Sequence, residues 1–263
     1  MVKFCSLFSG SSGNCLFFGT EQTKILIDAG LSRKAIFNAL EQIDQKPDQL
    51  KGILLTHEHN DHVRGAGILS RTLDIPIYAT EGTWKGCMPV LGEIDEKNMV
   101  CIEADKPFEI DDLCIQPYRT PHDANDPVGY CLLAEDKKTV VATDIGKMTR
   151  ALLKWFEKSD LLFLESNHDI EMLKIGSYPQ KLKNRILGDK GHLCNEVAAK
   201  TVAYMVKTGV TRVVLGHLSE KNNFKELAYI TAVNEMKKEG ILPGRDATVE
   251  VADRYAVGTL YDL

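Results

Sequence analysis

The 263-residue chain has no apolar run of 18 residues, no Cys-x-x-Cys pair, no low-complexity run and no excess of positive charge. Each absence closes a class. Without such a run there is no candidate bilayer-spanning helix. The start, Met-Val-Lys-Phe-Cys-Ser-Leu-Phe-Ser-Gly, is too short and too polar for a secretory signal. The expectation is a soluble, cytoplasmic protein with no membrane partner. Seven cysteines (5, 15, 87, 101, 114, 131 and 194) are odd in number, and some lie in apolar strand-like runs, as buried reduced thiols do. A disulfide framework is therefore not expected, and a reducing compartment is. A net charge of -5 excludes a globally basic nucleic-acid surface while leaving room for a local patch. With 44% hydrophobic and 26% charged residues and no repeat or linker, residues 1–263 suit a single domain with a sizeable core.

What is present is concentrated. Thr56-His57-Glu58-His59-Asn60-Asp61-His62 carries three of the seven histidines and an aspartate. Imidazole nitrogen and carboxylate oxygen suit divalent metals. Residues at i and i+2 cannot share a helix face, but a tight loop can turn both inward. His57 and His59 can thus converge on one ion while Asp61 and His62 point to a second. A polar helix start with incidental histidines would not place four ligand types in six positions behind an apolar strand.

Strands are expected at Lys24–Ile27, Ile53–Thr56, Leu113–Thr120, Thr139–Thr143, Leu161–Leu164 and Arg212–Gly216, from their apolar and largely β-branched runs. Each ends at or just before a ligand type: Asp28, His57, His122, Asp144, Glu165 with His168, and His217. In open α/β sheets, loops at strand ends gather distant residues into one crevice. Singly, such residues are usually caps or satisfied polar groups; six in one direction are not easily incidental. Strand-like Val2–Phe8 and Cys15–Phe18 flank a Ser-Gly-Ser-Ser-Gly-Asn loop, residues 9–14, which allows a tight turn or close ligand approach; Ser11 and Asn14 are its candidate substrate contacts. Further helices are expected from Ser32 to Ile43, to Leu73, at Glu81–Met88, Thr149–Lys158, in parts of 169–187, at Asn195–Lys207 and Asn222–Lys238. Further strands are expected at Ile75–Ala79, Thr248–Val251 and Ala256–Leu260. Strand runs in both halves punctuated by helices read as α/β: two mixed β-sheets packed together with helices outside.

In that order these residues resemble the metallo-β-lactamase superfamily, whose fold is a four-layer αβ/βα sandwich. The matching motifs are Asp28, His57-x-His59-x-Asp61-His62, His122, Asp144 and His217. A narrower resemblance, to the YycJ/WalJ (VicX) type of bacterial proteins, rests on Phe8–Asn14, Leu164–Asp169, Gly191–Leu193 and Leu215–Ser219. Cys194 and Lys221 depart from it, where a serine and an acidic residue are expected. The resemblance implies two divalent ions (Zn, Mn or Fe). His57, His59 and His122 would hold one, Asp61, His62 and His217 the other, with Asp144 bridging and Asp28 orienting a ligand histidine.

Two ions about 3.5–4 Å apart would share a bridging water and bring it to hydroxide near neutral pH. Asp61 can also orient the nucleophile. His168 and His192 match no ligand position and are candidates for binding a substrate phosphate or protonating the leaving oxygen. Lys174, Lys181, Lys183, Arg185 and Lys190 stand against Asp189 alone, with Tyr178 as a stacking surface, so Lys181, Lys183 and Arg185 are candidate contacts to a phosphate backbone. Only 73 positions separate Asp144 from His217, too few for the inserted cap of β-CASP relatives. The narrower resemblance implies a 5′-to-3′ DNA exonuclease, with DNA as partner. The competing readings are a glyoxalase II-like thioesterase or lactonase acting on a small molecule, and a non-catalytic scaffold with a structural metal.

Overall fold

The structure is a computed structural model describing residues 1–263. One compact unit comprises Met1–Arg119, Ala124–Asp136 and Asp253–Leu263. Its sheet runs in hydrogen-bonded order β14 (Tyr261–Asp262), β1 (Lys3–Phe8), β2 (Cys15–Gly19), β3 (Lys24–Ile27), β4 (Leu50–Leu54), β5 (Ile77–Thr80) and β6 (Met99–Ile102). β1 to β3 pair antiparallel and β3 to β6 parallel. Every residue of β2 is buried, which explains a run with no polar alternation. Against this sheet lie α1 (Arg33–Gln42) and α3 (Ala66–Leu73). Ser32 caps α1 by accepting from Ala35 N at 3.3 Å. The spacing of Ile36, Ala39 and Leu40 turns one stripe into the core with Phe17, Leu26 and Ile53. Truncating Leu40 to alanine there would cost about 2–5 kcal/mol. The same unit carries an antiparallel meander of β7 (Phe108–Ile110), β8 (Leu113–Arg119) and β9 (Val128–Ala134).

The second unit comprises Thr120–Asp123 and Lys137–Ala252. Its strands β10 (Lys137–Ala142), β11 (Leu161–Glu165), β12 (Arg212–Gly216) and β13 (Thr248–Val251) are all parallel. Helices α5 (Arg150–Phe156), α6 (Ile170–Ile175), α7 (Gln180–Leu187), α8 (Asn195–Lys207) and α9 (Lys225–Lys238) punctuate them. Strands β7 to β13 make up a second seven-stranded sheet. Both sheets are mixed and flanked by helices, as the alternation of strand and helix patterns implied. No helix is long and apolar enough to cross a membrane.

Several boundaries differ from the sequence expectation, among them β5, which begins at Ile77 instead of Ile75, and β10, which begins at Lys137 instead of Thr139; four differences have a clear local cause or consequence. β4 ends at Leu54, so Leu55 and Thr56 have already left the strand to open the histidine loop. α4 (Glu81–Leu91) runs three residues past Met88 and through Pro89, anchored by its Thr80 cap. α9 begins at Lys225 instead of Asn222 because Asn223 is spent on tertiary bonds, its Nδ2 donating to Ser166 O at 2.9 Å. The strand expected at Ala256–Leu260 is a loop fastened through Gly258 N to Ser6 O, and the pairing with β1 falls on Tyr261 and Asp262 instead.

Candidate metal centre

In the first unit the chain leaves β3 at Asp28 and β4 at Leu54, and both ends turn abruptly. Asp28 adopts a left-handed backbone, φ 59°, a conformation uncommon for non-glycine residues and more accessible to aspartate than to most. Its buried carboxylate accepts from Thr56 N at 2.8 Å, Thr56 Oγ1 at 2.9 Å and His62 Nδ1 at 2.7 Å. That last bond assigns the proton of His62 to Nδ1 and leaves the lone pair on Nε2. The His62 Nε2 edge meets the Asn14 amide nitrogen at 3.2 Å and Asp61 Oδ2 at 3.5 Å. His57 Nε2 and His59 Nδ1 lie 2.9 Å apart. A four-residue helix, α2 (Asn60–Val63), brings Asp61 and His62 round after His59. The close approach behind it requires Gly30, where a Cβ would stand 1.7 Å from the Asp61 carbonyl oxygen. Of the two loop residues expected to touch substrate, Asn14 is buried. It accepts from Gly10 N at 2.9 Å and donates to Asp61 Oδ2 at 3.3 Å. Ser11 is exposed and 3.3 Å from Arg254 Nη1.

In the second unit the corresponding turns follow β10 and β12: Asp144 and His217 have φ 57° and 55°. Asp144 Oδ1 lies 3.6 Å from His122 Nε2, from His192 Nδ1 and from His217 Nδ1. These separations are too long for hydrogen bonds. The separation at His122 Nε2 is close to the edge of a coordination polyhedron built on bonds of about 2.0–2.2 Å, whereas the Nδ1 atoms of His192 and His217 carry protons toward Glu165. Donor atoms of Asp144, Glu165, His192 and His217 all lie within 4.8 Å of one another. His122 Nδ1 donates to Gly191 O at 3.1 Å, so its Nε2 carries the lone pair.

Glu165 organises this group, and sequence reasoning marked it only as a strand-end acid. Its fully buried carboxylate accepts from His217 Nδ1 at 2.7 Å and His192 Nδ1 at 2.8 Å, and also from Ile145 N and Leu193 N, each at 3.0 Å. Burial alone would raise its pKa. The charges of His192 and His217 and the hydrogen bonds they donate outweigh burial and hold it at about 2. His168, three residues on, is also buried, but neither ring nitrogen has a hydrogen-bond partner. Desolvation lowers its pKa to about 4 and keeps it neutral.

Buried carboxylates facing imidazole lone pairs are a donor set for a divalent cation, since buried anions otherwise carry a large desolvation penalty. The residues of both units fit that role chemically. The basic segment is less free than its composition implied. Arg185 forms a salt bridge with Asp123, whose Oδ1 lies 3.4 Å from His122 Nε2. Lys183 Nζ donates to Lys174 O at 2.6 Å, and Lys174 pairs with Glu171 at 2.8 Å. Lys221 sits over the Tyr178 ring at 5.7 Å. Arg254, which no local pattern marks, reaches Ser11 across 243 positions of sequence and stands over the Tyr255 ring at 5.8 Å.

Residues 23–218 match the family described as the beta-lactamase superfamily domain. The exodeoxyribonuclease WalJ of Streptococcus pneumoniae is 39% identical over 249 residues, covering 94% of this chain and 93% of that protein. The exodeoxyribonuclease YycJ of Bacillus anthracis is 37% identical over 254 residues, 96% of each. Among solved structures, the metallo-beta-lactamase fold protein YhfI from Bacillus subtilis superposes with a TM-score of 0.72 at 15% identity, covering 98% of this chain and all of that one. Zn(2+)-bound PqqB from Methylobacterium extorquens gives 0.69 at 15% identity, covering 99% of this chain and all of that one. At that identity these two establish the fold alone.

Proposed function

The chain belongs to the beta-lactamase superfamily of metal-dependent hydrolases, and on that premise we propose that it is a divalent-metal-dependent exodeoxyribonuclease that shortens DNA from its 5′ end. The observation that carries the exodeoxyribonuclease reading is the near full-length likeness, at 37% and 39% identity, to proteins of that name. A pair of divalent ions would be held by His57, His59, Asp61 and His62 of the first unit and by His122, Asp144 and His217 of the second. When bound, such a pair supplies Lewis acidity and an acidified water for in-line attack at phosphorus.

The chain's own residues prepare that chemistry. Asp28 and Glu165 fix histidine tautomers by accepting at Nδ1, so each ring offers Nε2 at no cost in reorientation. The Asn14 amide holds Asp61 where its carboxylate orients the attacking water. His192, with Glu165 accepting at its Nδ1, takes up at Nε2 the proton that leaves the attacking water and passes it to the leaving oxygen. Arg185, through Asp123, steadies the approach to His122.

The test is degradation of 5′-phosphorylated single- and double-stranded DNA with Mn²⁺, comparing the wild type with His59→Ala. Shortening by the wild type alone supports the reading. No cleavage by the wild type under Mn²⁺, Zn²⁺ or Fe²⁺, with turnover of a thioester or lactone instead, overturns it in favour of a small-molecule hydrolase.

A further inference from the structure

A cavity of 330 Å³ in the second unit is lined in part by His192, and its remaining walls play no part in the mechanism so far. Its lining residues include Met148, Ile170, Leu187 and Val197, together with His168 and His192. The volume lies at the small end of the range for ligand pockets, about 300–1,000 Å³. The feature that asks for an explanation is His168. The side chain is 1% exposed, yet both ring nitrogens lack a hydrogen-bond partner. A buried polar group left unpaired costs about 1–3 kcal/mol, and a histidine kept only for packing would normally be satisfied.

The ring is held there deliberately by its backbone. His168 O accepts from Asn195 N at 2.8 Å, Asn167 N donates to Leu193 O at 2.9 Å, and Asp169 N donates to Asn222 O at 2.9 Å. Both flanks are thus tied to other segments, and His168 is held beside the cavity as one of its lining residues.

What the cavity takes follows from its chemistry. A neutral imidazole offers one donor and one acceptor. An anion would want a cation, but burial disfavours the charged form of His168, and the nearby Lys147 ammonium is engaged by Asp189 at 2.9 Å. The aliphatic and thioether walls suit the faces of a flat ring. The occupant is therefore a neutral heteroaromatic with a donor and an acceptor on its edge. We propose that this cavity is a nucleobase subsite, in which one unstacked base of the substrate lies between Met148 and the aliphatic walls and exchanges hydrogen bonds with His168. This assignment of the occupant to DNA rests on the exodeoxyribonuclease reading. Unstacking a base costs a few kcal/mol, least at a frayed end or in a single strand.

The first arm of the test uses the full-length protein labelled at the methionine methyls, titrated separately with the four deoxynucleosides and with inorganic phosphate. The Met148 methyl resonance, assigned through Met148→Leu, shifts saturably with at least one nucleoside and not with phosphate. His168→Phe weakens that response about tenfold, on the scale of one base contact, and His168→Gln, which keeps a donor and an acceptor, retains most of it. Unchanged shifts at the other methionines show that the variants fold. No response to any nucleoside, or a response to phosphate alone, overturns the subsite.

The second arm uses 5′-phosphorylated DNA carrying one abasic nucleotide, moved stepwise from the end. At one step the wild type loses about tenfold in kcat/KM, and there the difference between wild type and His168→Phe vanishes. Abasic DNA degraded as fast as intact DNA at every step sinks the subsite and leaves the exonuclease standing. Nucleoside binding without degradation of any DNA sinks the exonuclease and leaves a heteroaromatic site to be filled by a small molecule.

Discussion

Asp28 and Glu165 act alike in the two units: each is a buried carboxylate just past or at the end of a strand, accepting from the Nδ1 of a histidine. Asp28→Ala removes the acceptor for His62 and for Thr56 together. Zinc affinity measured by calorimetry is expected to fall about 10–100-fold with the secondary structure intact, and an unchanged affinity would contradict the positioning role. Acid stability follows from the two shifted groups. His168, at about 4 instead of 6.5, binds fewer protons in the folded state than in the unfolded one, so its effect is a loss of stability as pH falls from 6.5 toward 4. Glu165, at about 2 instead of 4.5, contributes stability that is complete above 4.5 and is lost as pH falls toward 2. Thermal melts of the metal-free protein should therefore decline in two stages. His168→Phe should flatten the upper one, worth up to about 3 kcal/mol; a slope unchanged between pH 6.5 and 4 would contradict this. Of these residues Asp28 was legible, because an acid beside a strand end coincided with a motif. Glu165 was marked only as one of six strand-end ligand types and given no role of its own, since one acid after Leu-Leu-Phe-Leu carries no sign that two distant histidines will bond to it.

Elements were legible to the degree that local pattern decides them. The apolar runs of β3, β11 and β12 located those strands to within a residue, while β10 begins two residues before its expected start, at Lys137. Where a tertiary bond sets the boundary, pattern failed: Asn223 turned toward Ser166 delays α9, and Gly258 fastened to Ser6 keeps 256–260 out of the sheet. The loop that carries Asp61 is governed in the same nonlocal way. Asn14 N and Ala29 N donate to Asp61 O and His62 O at 2.8 and 2.7 Å, and Gly30 N donates to Asn14 O at 2.8 Å. With a methyl group at Gly30 these segments must part. Gly30→Ala is expected to lower stability by about 1–3 kcal/mol and to reduce metal affinity with it, read from paired melts with and without zinc. A variant as stable as the wild type, with the same zinc-induced rise in Tm, would contradict the packing argument.

For the molecule as a whole, a net charge of -5 means that any grip on DNA is local. Replacing Lys181 and Lys183 together by alanine should reduce the slope of log affinity against log salt by about 1–2, measured by anisotropy on a metal-exchanged, non-cleaving sample. Arg185→Ala should instead lower turnover, because its guanidinium is committed to Asp123 beside His122; an effect on the salt slope alone would contradict that assignment. The central claim is directional removal of nucleotides from DNA by a metal-dependent site. It is tested most directly by following one duplex with a 5′-phosphate, labelled at the 3′ end of the attacked strand, in the presence of Mn²⁺. The account predicts a descending ladder of 3′-labelled fragments with mononucleotides released in 5′-to-3′ order, abolished by chelator and by His59→Ala. Intact label throughout, or immediate release of the 3′-labelled nucleotide, would contradict it.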